Sequence, residues 1–205
     1  MNQKIIKGAG IILCEAVVLF VVLQLLPKGF GTELLLAFGT LLLVLVPWAM
    51  ERLFHCEISL LLYLFCLAYA LGPMLGHSCG WYYMGFHWDK VLHTFGGIAF
   101  AVLGLFLFER FVQNDRKNRV MTAAFGLCFS VAISVFWEFI EFAMDELWAL
   151  EMQTDWRLAD GTLDIGLHDT MWDMILESLG AFVTVALYSL QPESSRLIRP
   201  LPQKE

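Results

Sequence analysis

The stretch that decides the fold lies at residues 120–142 and reads VMTAAFGLCFSVAISVFWEFIEF. A run of roughly 20 mainly apolar residues is long enough to cross a bilayer as a helix. Near its end this run carries Glu138 and Glu141, which lie three residues apart and therefore share one face of a helix. Charged side chains inside a spanning helix are costly and mark candidate functional positions. The stretch thus predicts a membrane fold and a site at one end of it.

The composition of the whole chain supports a membrane protein. Its 205 residues are 59% hydrophobic and 16% charged, whereas soluble domains are about 45–50% apolar and about 25% charged. A formal net charge of −7 argues against a nucleic-acid partner. The five cysteines are odd in number and form no CxxC pair, so they favour neither a disulfide framework nor a zinc knuckle.

Five further apolar runs bring the number of predicted membrane spans to six. The predicted fold class is therefore all-α, a single polytopic bundle of six transmembrane helices over residues 1–205. The spans cover residues 8–26, 32–50, 58–76, 89–108, 120–142 and 169–190. Lys4 and Lys7 precede the first span as in a signal peptide, but no small-residue cleavage site follows, so we interpret this span as an uncleaved anchor.

The placement of lysine and arginine predicts the orientation, because positively charged loops stay in the cytoplasm. With the N-terminus inside, ten of the 13 basic residues lie on the cytoplasmic side, and six crossings return the C-terminus to that side. Only Lys28, Lys90 and Arg157 fall outside. Residues 144–168 then form an acidic outer loop between the fifth and sixth spans.

Ionisable residues converge at the outer ends of the last three predicted spans. The fourth span opens with Asp89 and His93, which lie four residues apart and share a helix face. The sixth span opens with Asp169 and Asp173 at the same spacing. The fifth span runs outward and ends in its two glutamates, so all three sets reach the same depth. The predicted site comprises Asp89, His93, Glu138, Glu141, Asp169 and Asp173.

Five carboxylates around one imidazole require protons, cations or water, since Lys90 offsets one charge at most. Carboxylates and an imidazole on several helices of a bundle form ligand sets for iron or manganese, and magnesium, calcium or zinc also fit. We therefore predict a divalent-metal site and leave the metal open. The alternatives are helix capping by Asp89 and Asp169 and, for the other residues, a water-filled vestibule or ordinary polar packing between helices. Three histidines near the outer interface are further candidates, although such residues commonly face water: His77, His87 and His168.

Three segments in the second half of the chain resemble the YjdF-like bacterial inner-membrane proteins. Residues 88–97 (WDKVLHTFGG) resemble the family's Asp-Arg-x-x-His-Phe-x-x-Gly segment, and residues 134–142 (SVFWEFIEF) resemble its Ser-x-x-Tyr-Glu-x-Ile-Glu-Trp segment. Residues 168–174 (HDTMWDM) resemble its Trp-Asp-Thr-x-x-Asp-Met segment. Lys90 replaces the usual Arg, and His168 stands where Trp is usual. The resemblance implies a compact multi-pass protein of the bacterial inner membrane, and it implies no reaction because the family's activity is not established.

Three functions agree with the sequence. The first is a metal-dependent enzyme that acts on a lipid or another amphipathic substrate from the outer side of the membrane. The second is a cation or proton-coupled transporter. The third is a non-catalytic membrane protein with a structural metal, for which the acidic loop is a docking surface. The position of the cluster near one face and the lack of an internal repeat favour the enzyme over the transporter. No sequence motif identifies a reaction, and the oligomeric state stays open.

Overall fold

A computed structural model describes residues 2–28, 32–84, 87–112, 118–148, 152–190 and 198–200. Within these ranges, six helical segments are long and apolar enough to cross a membrane, so the predicted all-α membrane fold is confirmed. The side of the membrane on which each terminus lies stays a prediction. The chain divides into two compact units, Met1–Trp88 with Glu193–Glu205 and Asp89–Pro192. That the two form a single domain also stays a prediction.

The described part of the first unit consists mainly of helices. In chain order its elements are α1 (Gln3–Leu25), α2 (Thr32–Val44), α3 (Val46–Leu53), β1 (Cys56–Ile58) and α4 (Leu60–Ser78). A further strand, Ile198–Pro200, pairs antiparallel with β1 and is numbered β4 below. Buried apolar side chains of α1, α2 and α4 form the core of this unit: Val18, Val22, Leu25, Leu34, Ala37 and Met74.

The second predicted span is interrupted. The sequence predicts one helix over residues 32–50, whereas the structure ends α2 at Val44 and begins α3 at Val46. Pro47 lies in the first turn of α3. Proline has no N–H to donate and its ring clashes with the preceding turn, so it is tolerated where a helix starts and not where one continues. The apolar segment Leu36–Leu53 runs through this break and is still long enough to span.

In the first unit, an ion pair joins the start of α1 to the end of α3. The Nζ of Lys7 lies 2.6 Å from Oε1 of Glu51 and donates to the carbonyl oxygen of Ile58 at 2.5 Å. The same glutamate oxygen accepts from the backbone N–H of Ile58 at 2.9 Å. The start of α1, the end of α3 and β1 therefore meet at one end of this unit.

The second unit contains three long helices and a small hairpin. Its elements are α5 (Trp88–Phe111), α6 (Arg119–Trp148), β2 (Trp156–Arg157), β3 (Leu163–Asp164) and α7 (Leu167–Leu190). Because α6 extends to Trp148 and α7 begins at Leu167, both ends of the predicted acidic loop are helical. In between, β2 and β3 pair antiparallel, and Gly161 takes a positive φ of 86° in the turn that joins them. Glu151 of that loop lies outside the described residues.

Glycines bring the helices of the second unit into backbone contact. A Cβ atom on Gly97 of α5 would overlap the backbone oxygen of Glu177 on α7, and one on Gly180 would overlap the backbone oxygen of Thr94. Two turns further along α5, a Cβ on Gly104 would lie 3.0 Å from the Cα of Gly126 on α6. Small residues allow such close approach between membrane helices. The contacts fix how α5 and α7 are rotated toward each other.

Candidate metal centre

All six predicted site residues lie in the second unit, at the start of α5, the start of α7 and the later half of α6. Five of them form two sets in which each residue offers one ligand atom and those atoms lie within 4.8 Å of one another. The first set is Asp89, His93 and Asp173, and the second is His93, Glu138 and Glu141. Three helices thus bring carboxylates to one imidazole.

The ring of His93 stands between the carboxylates of α5 and α7. Its Nε2 atom lies 3.7 Å from Oδ1 of Asp89 and 3.8 Å from Oδ1 of Asp173. Its Nδ1 atom lies 3.6 Å from Oε2 of Glu177. The imidazole is 6% exposed, so these carboxylates, and not water, form most of its polar surroundings. Each ring nitrogen therefore has an acidic neighbour at a distance longer than a normal hydrogen bond.

The amino group of Lys90 contacts one carboxylate oxygen of each of three aspartates. Its Nζ donates to Oδ1 of Asp169 at 2.5 Å and to Oδ2 of Asp173 at 2.7 Å, and it lies 3.4 Å from Oδ2 of Asp89. The sequence predicts that this lysine offsets one carboxylate at most, whereas the structure places it against three. In Asp89 and Asp173 it contacts Oδ2, which leaves both Oδ1 atoms on the side of His93.

Asp169 belongs to neither set of candidate ligands. One of its oxygens contacts Lys90, and the other accepts a hydrogen bond from the backbone N–H of Thr154 at 2.8 Å. Its carboxylate is buried, 6% exposed. The structure therefore places Asp169 beside the cluster as a partner of the lysine and as an anchor for the loop.

The carboxylates of α6 have partners of their own. Glu141 accepts a hydrogen bond from Nε1 of Trp137 at 2.7 Å. Gln153, in the loop between α6 and β2, reaches Oε2 of Glu138 at 3.5 Å and donates to Oγ1 of Thr170 at 2.7 Å. Asp145 fixes the same loop by accepting from the backbone N–H of Gln153 at 2.9 Å. These hydrogen bonds hold Gln153 of the loop next to the glutamates of the cluster.

Several buried polar atoms of this cluster have no hydrogen-bond partner among the described residues. They are Ser134 Oγ, Glu138 Oε1, Asp173 Oδ1 and Glu177 Oε1. Buried polar groups are nearly always paired, and a buried carboxylate oxygen without a partner is costly. These oxygens therefore mark positions for a cation, a proton or an ordered water molecule.

Comparison with known proteins places the chain in a family. The model of a family described as "Predicted membrane protein (DUF2238)" matches residues 9–194. The chain belongs to this family. A protein of Thermotoga maritima named "Uncharacterized protein" is 27% identical over 139 residues, which cover 66% of this chain and 66% of that relative. No solved structure matches. The expectation of an uncharacterised membrane-protein family is thereby confirmed.

For this DUF2238 protein the sequence misses three features of the cluster. Glu177 lies one turn beyond Asp173 on α7, and its spacing of four residues predicts that it shares the face of the two aspartates, but the sequence leaves its role open. Gln153 and the multiple contacts of Lys90 follow no periodic pattern. Of the three further histidines, His168 accepts from the indole of Trp172 at 3.0 Å. His77 packs against the ring of Tyr82, and His87 is exposed. Among the described residues, none of the three belongs to a candidate ligand set.

Proposed function

We propose that this protein is a membrane-embedded enzyme that uses a divalent metal ion to act on a lipid or another amphipathic substrate. The observation that carries the proposal is the meeting of Asp89, His93 and Asp173 from two helices, in which the buried Oδ1 of Asp173 has no hydrogen-bond partner among the described residues. We further propose that the protein lies in a bacterial inner membrane, with the cluster facing outward as the distribution of basic residues predicts.

The donor atoms of the first set fit a metal ion. Ligands held tetrahedrally at about 2.1 Å from a metal lie about 3.4 Å from each other, and the Nε2 of His93 lies 3.7 and 3.8 Å from its two aspartate oxygens. Oxygen and imidazole donors without a thiolate suit iron, manganese, zinc or magnesium. The Nδ1 of His93 faces Glu177, in the manner of a ligating histidine that presents its other nitrogen to a carboxylate.

The chemistry of such a site follows from its surroundings. A bound metal ion would polarise a substrate oxygen or activate a water molecule. Glu138 and Glu141 lie beside His93 and add two further carboxylates to the site. Lys90 and Gln153 hold the carboxylates of the site in position.

The proposed substrate class follows from exposed apolar surfaces beside the cluster. On α6, Phe136 and Phe139 are exposed on the turns that carry the glutamates. On α7, Met171, Trp172 and Ile175 are exposed around Asp173. A polar site between two apolar exposed surfaces admits a molecule with an apolar chain and a polar head.

A transporter is the main alternative, and the interior of the second unit argues against it. The helices continue past the cluster into a core of apolar side chains: Ala101, Leu105, Ala181 and Val185. A transport path needs polar groups that continue toward the other face of the membrane. Among the described residues, the buried ionisable side chains of this unit instead concentrate at one end, as an enzyme site or a structural metal requires.

The first test is the metal content of the purified protein beside two variants. We expect near-stoichiometric divalent metal in the wild type, and a loss of metal affinity of at least about tenfold in His93→Ala and Asp173→Asn. Glu146→Gln changes an exposed carboxylate on α6 and is the matched control, which keeps its metal. Wild-type protein that stays metal-free after divalent ions are added would overturn the metal site.

A second measurement separates enzyme, transporter and structural metal. Wild-type protein and His93→Ala are incubated with a bacterial lipid extract, and the lipids are compared by mass spectrometry. An enzyme consumes a lipid species that the variant leaves intact. Manganese flux into proteoliposomes without any lipid product would favour transport. If the wild type shows neither lipid turnover nor flux, and His93→Ala unfolds at a much lower temperature than the wild type, the metal is structural.

A further inference from the structure

We infer that the cluster holds two divalent cations side by side, one on each of the two ligand sets. The inference rests on the proposed metal site and adds its stoichiometry. The first position is formed by Asp89, His93 and Asp173, and the second by Glu138 and Glu141 next to the same histidine. The two sets have only His93 in common, and their carboxylates come from different helices.

Each set contains one buried oxygen that the described residues leave without a partner. In the first set it is Oδ1 of Asp173, a residue that is 0% exposed, and in the second it is Oε1 of Glu138, a residue that is 4% exposed. The other oxygen of each carboxylate is engaged, by Lys90 at 2.7 Å and by Gln153 at 3.5 Å. Each set therefore has one carboxylate oxygen without a hydrogen bond, and one cation on the first set would leave the second oxygen unpaired.

The charge of the cluster also favours two cations. Six carboxylates meet in this region: Asp89, Glu138, Glu141, Asp169, Asp173 and Glu177. Lys90 supplies one positive charge, so five negative charges are left when His93 is neutral. One divalent ion would leave three of them in a buried place, whereas two would leave one. Buried charges without partners are costly, and two ions come closest to neutrality.

The position of His93 sets the spacing of the two ions. Its Nε2 faces the aspartates and can bind only one ion, so the second ion depends on the two glutamates of α6. Since both sets include this ring, the two positions are neighbours. Paired ions in enzymes lie about 3.5–4 Å apart and act on the same substrate.

Manganese is the probe for this inference, because its electron paramagnetic resonance spectrum distinguishes isolated ions from coupled pairs. Metal-free protein in detergent is titrated with Mn²⁺, and bound ions per chain are counted by elemental analysis. We expect two Mn²⁺ ions per wild-type chain and an exchange-coupled spectrum. Glu141→Gln and Asp89→Asn should each bind one ion, with the sharp hyperfine pattern of isolated Mn²⁺. The exposed control Glu146→Gln should behave as the wild type.

The failures of the two proposals are distinguishable. A wild-type chain that binds only one Mn²⁺ would overturn the paired site and leave a mononuclear one. A wild-type chain that binds no metal would overturn the proposed function itself. Thermal melting of each variant in the same detergent shows whether a lost ion reflects a lost ligand or an unfolded protein.

Discussion

Lys90 is the residue that makes this acidic cluster compatible with folding. It lies on α5 within reach of Asp89, Asp169 and Asp173, and the last two are buried. Taking several carboxylates out of water costs free energy unless a counter-charge and hydrogen bonds compensate. A metal ion bound at His93 would neutralise the Oδ1 side of the aspartates, whereas Lys90 neutralises the Oδ2 side. The lysine and a bound metal ion would therefore neutralise different oxygens of the same carboxylates.

We expect Lys90→Met to lower the free energy of unfolding by about 3–5 kcal/mol, because it leaves buried carboxylates without their counter-ion. Lys90→Arg keeps the charge and is the matched control, with a smaller loss. The double variant Lys90→Met/Asp169→Asn also removes one of the buried carboxylates that have lost their counter-ion, so it should be more stable than Lys90→Met alone. Unfolding of the metal-free protein in detergent measures all three. Equal stability of Lys90→Met and wild type would show that the ion pairs contribute nothing.

At the scale of single residues, helical spacing predicts much of the site. Asp89, His93 and Asp173 were identifiable because residues four apart share a helix face, and the structure brings them together. Gln153 was not identifiable, because its position depends on the path of a loop held by Asp145, and no periodicity describes such a path. The sequence also did not predict the partners of Lys90, since a long side chain can reach several neighbours from one backbone position.

Among the elements, the contact between α5 and α7 determines whether the cluster forms. Gly97 and Gly180 let the two backbones touch directly below the ionisable residues. Glu177 supplies the backbone oxygen at this contact, and its side chain faces His93. The same short segment of α7 thus sets the separation of the helices and carries an acid of the cluster.

We expect Gly97→Ala to destabilise the protein by about 1–3 kcal/mol, because a methyl group inserted into a well-packed contact forces the backbones apart. Its metal affinity should fall as well, since His93 and Asp173 would separate. The matched control is Gly39→Ala in α2, where an added Cβ meets nothing within 4 Å and stability should be unchanged or slightly higher. Detergent unfolding and metal titration test both. Equal stability and equal metal affinity of the two variants would show that the α5–α7 contact can accept a methyl group without a change in helix separation.

The lengths of the elements show where hydropathy is insufficient. The sequence ends the fifth span at residue 142 because charged residues follow, but α6 continues to Trp148. A helix that leaves the apolar layer can keep its hydrogen bonds in water, so Asp145 and Glu146 end the span and not the helix. In the second span the opposite happens, since apolar residues continue through a helix break at Pro47.

At the scale of the whole molecule, charge is distributed unevenly along the membrane-spanning helices. In the second unit the acidic cluster occupies one end, while Arg110 at the end of α5 and Arg119 at the start of α6 lie at the other. In the first unit Lys7 and Arg52 lie at the start of α1 and the end of α3. Basic residues near the ends of spans favour the cytoplasmic side. The distribution therefore predicts one orientation for all six spans.

We expect reporter fusions to place both termini in the cytoplasm and the acidic loop outside. A fluorescent protein joined after Glu205 should fluoresce, because it folds in the cytoplasm, whereas alkaline phosphatase at the same point should be inactive. Phosphatase inserted between Asp160 and Gly161, in the exposed turn between β2 and β3, should be active. The reverse pattern would turn the cluster toward the cytoplasm. The distances among the candidate ligands would be unchanged, but a substrate would have to reach the site from the inner leaflet.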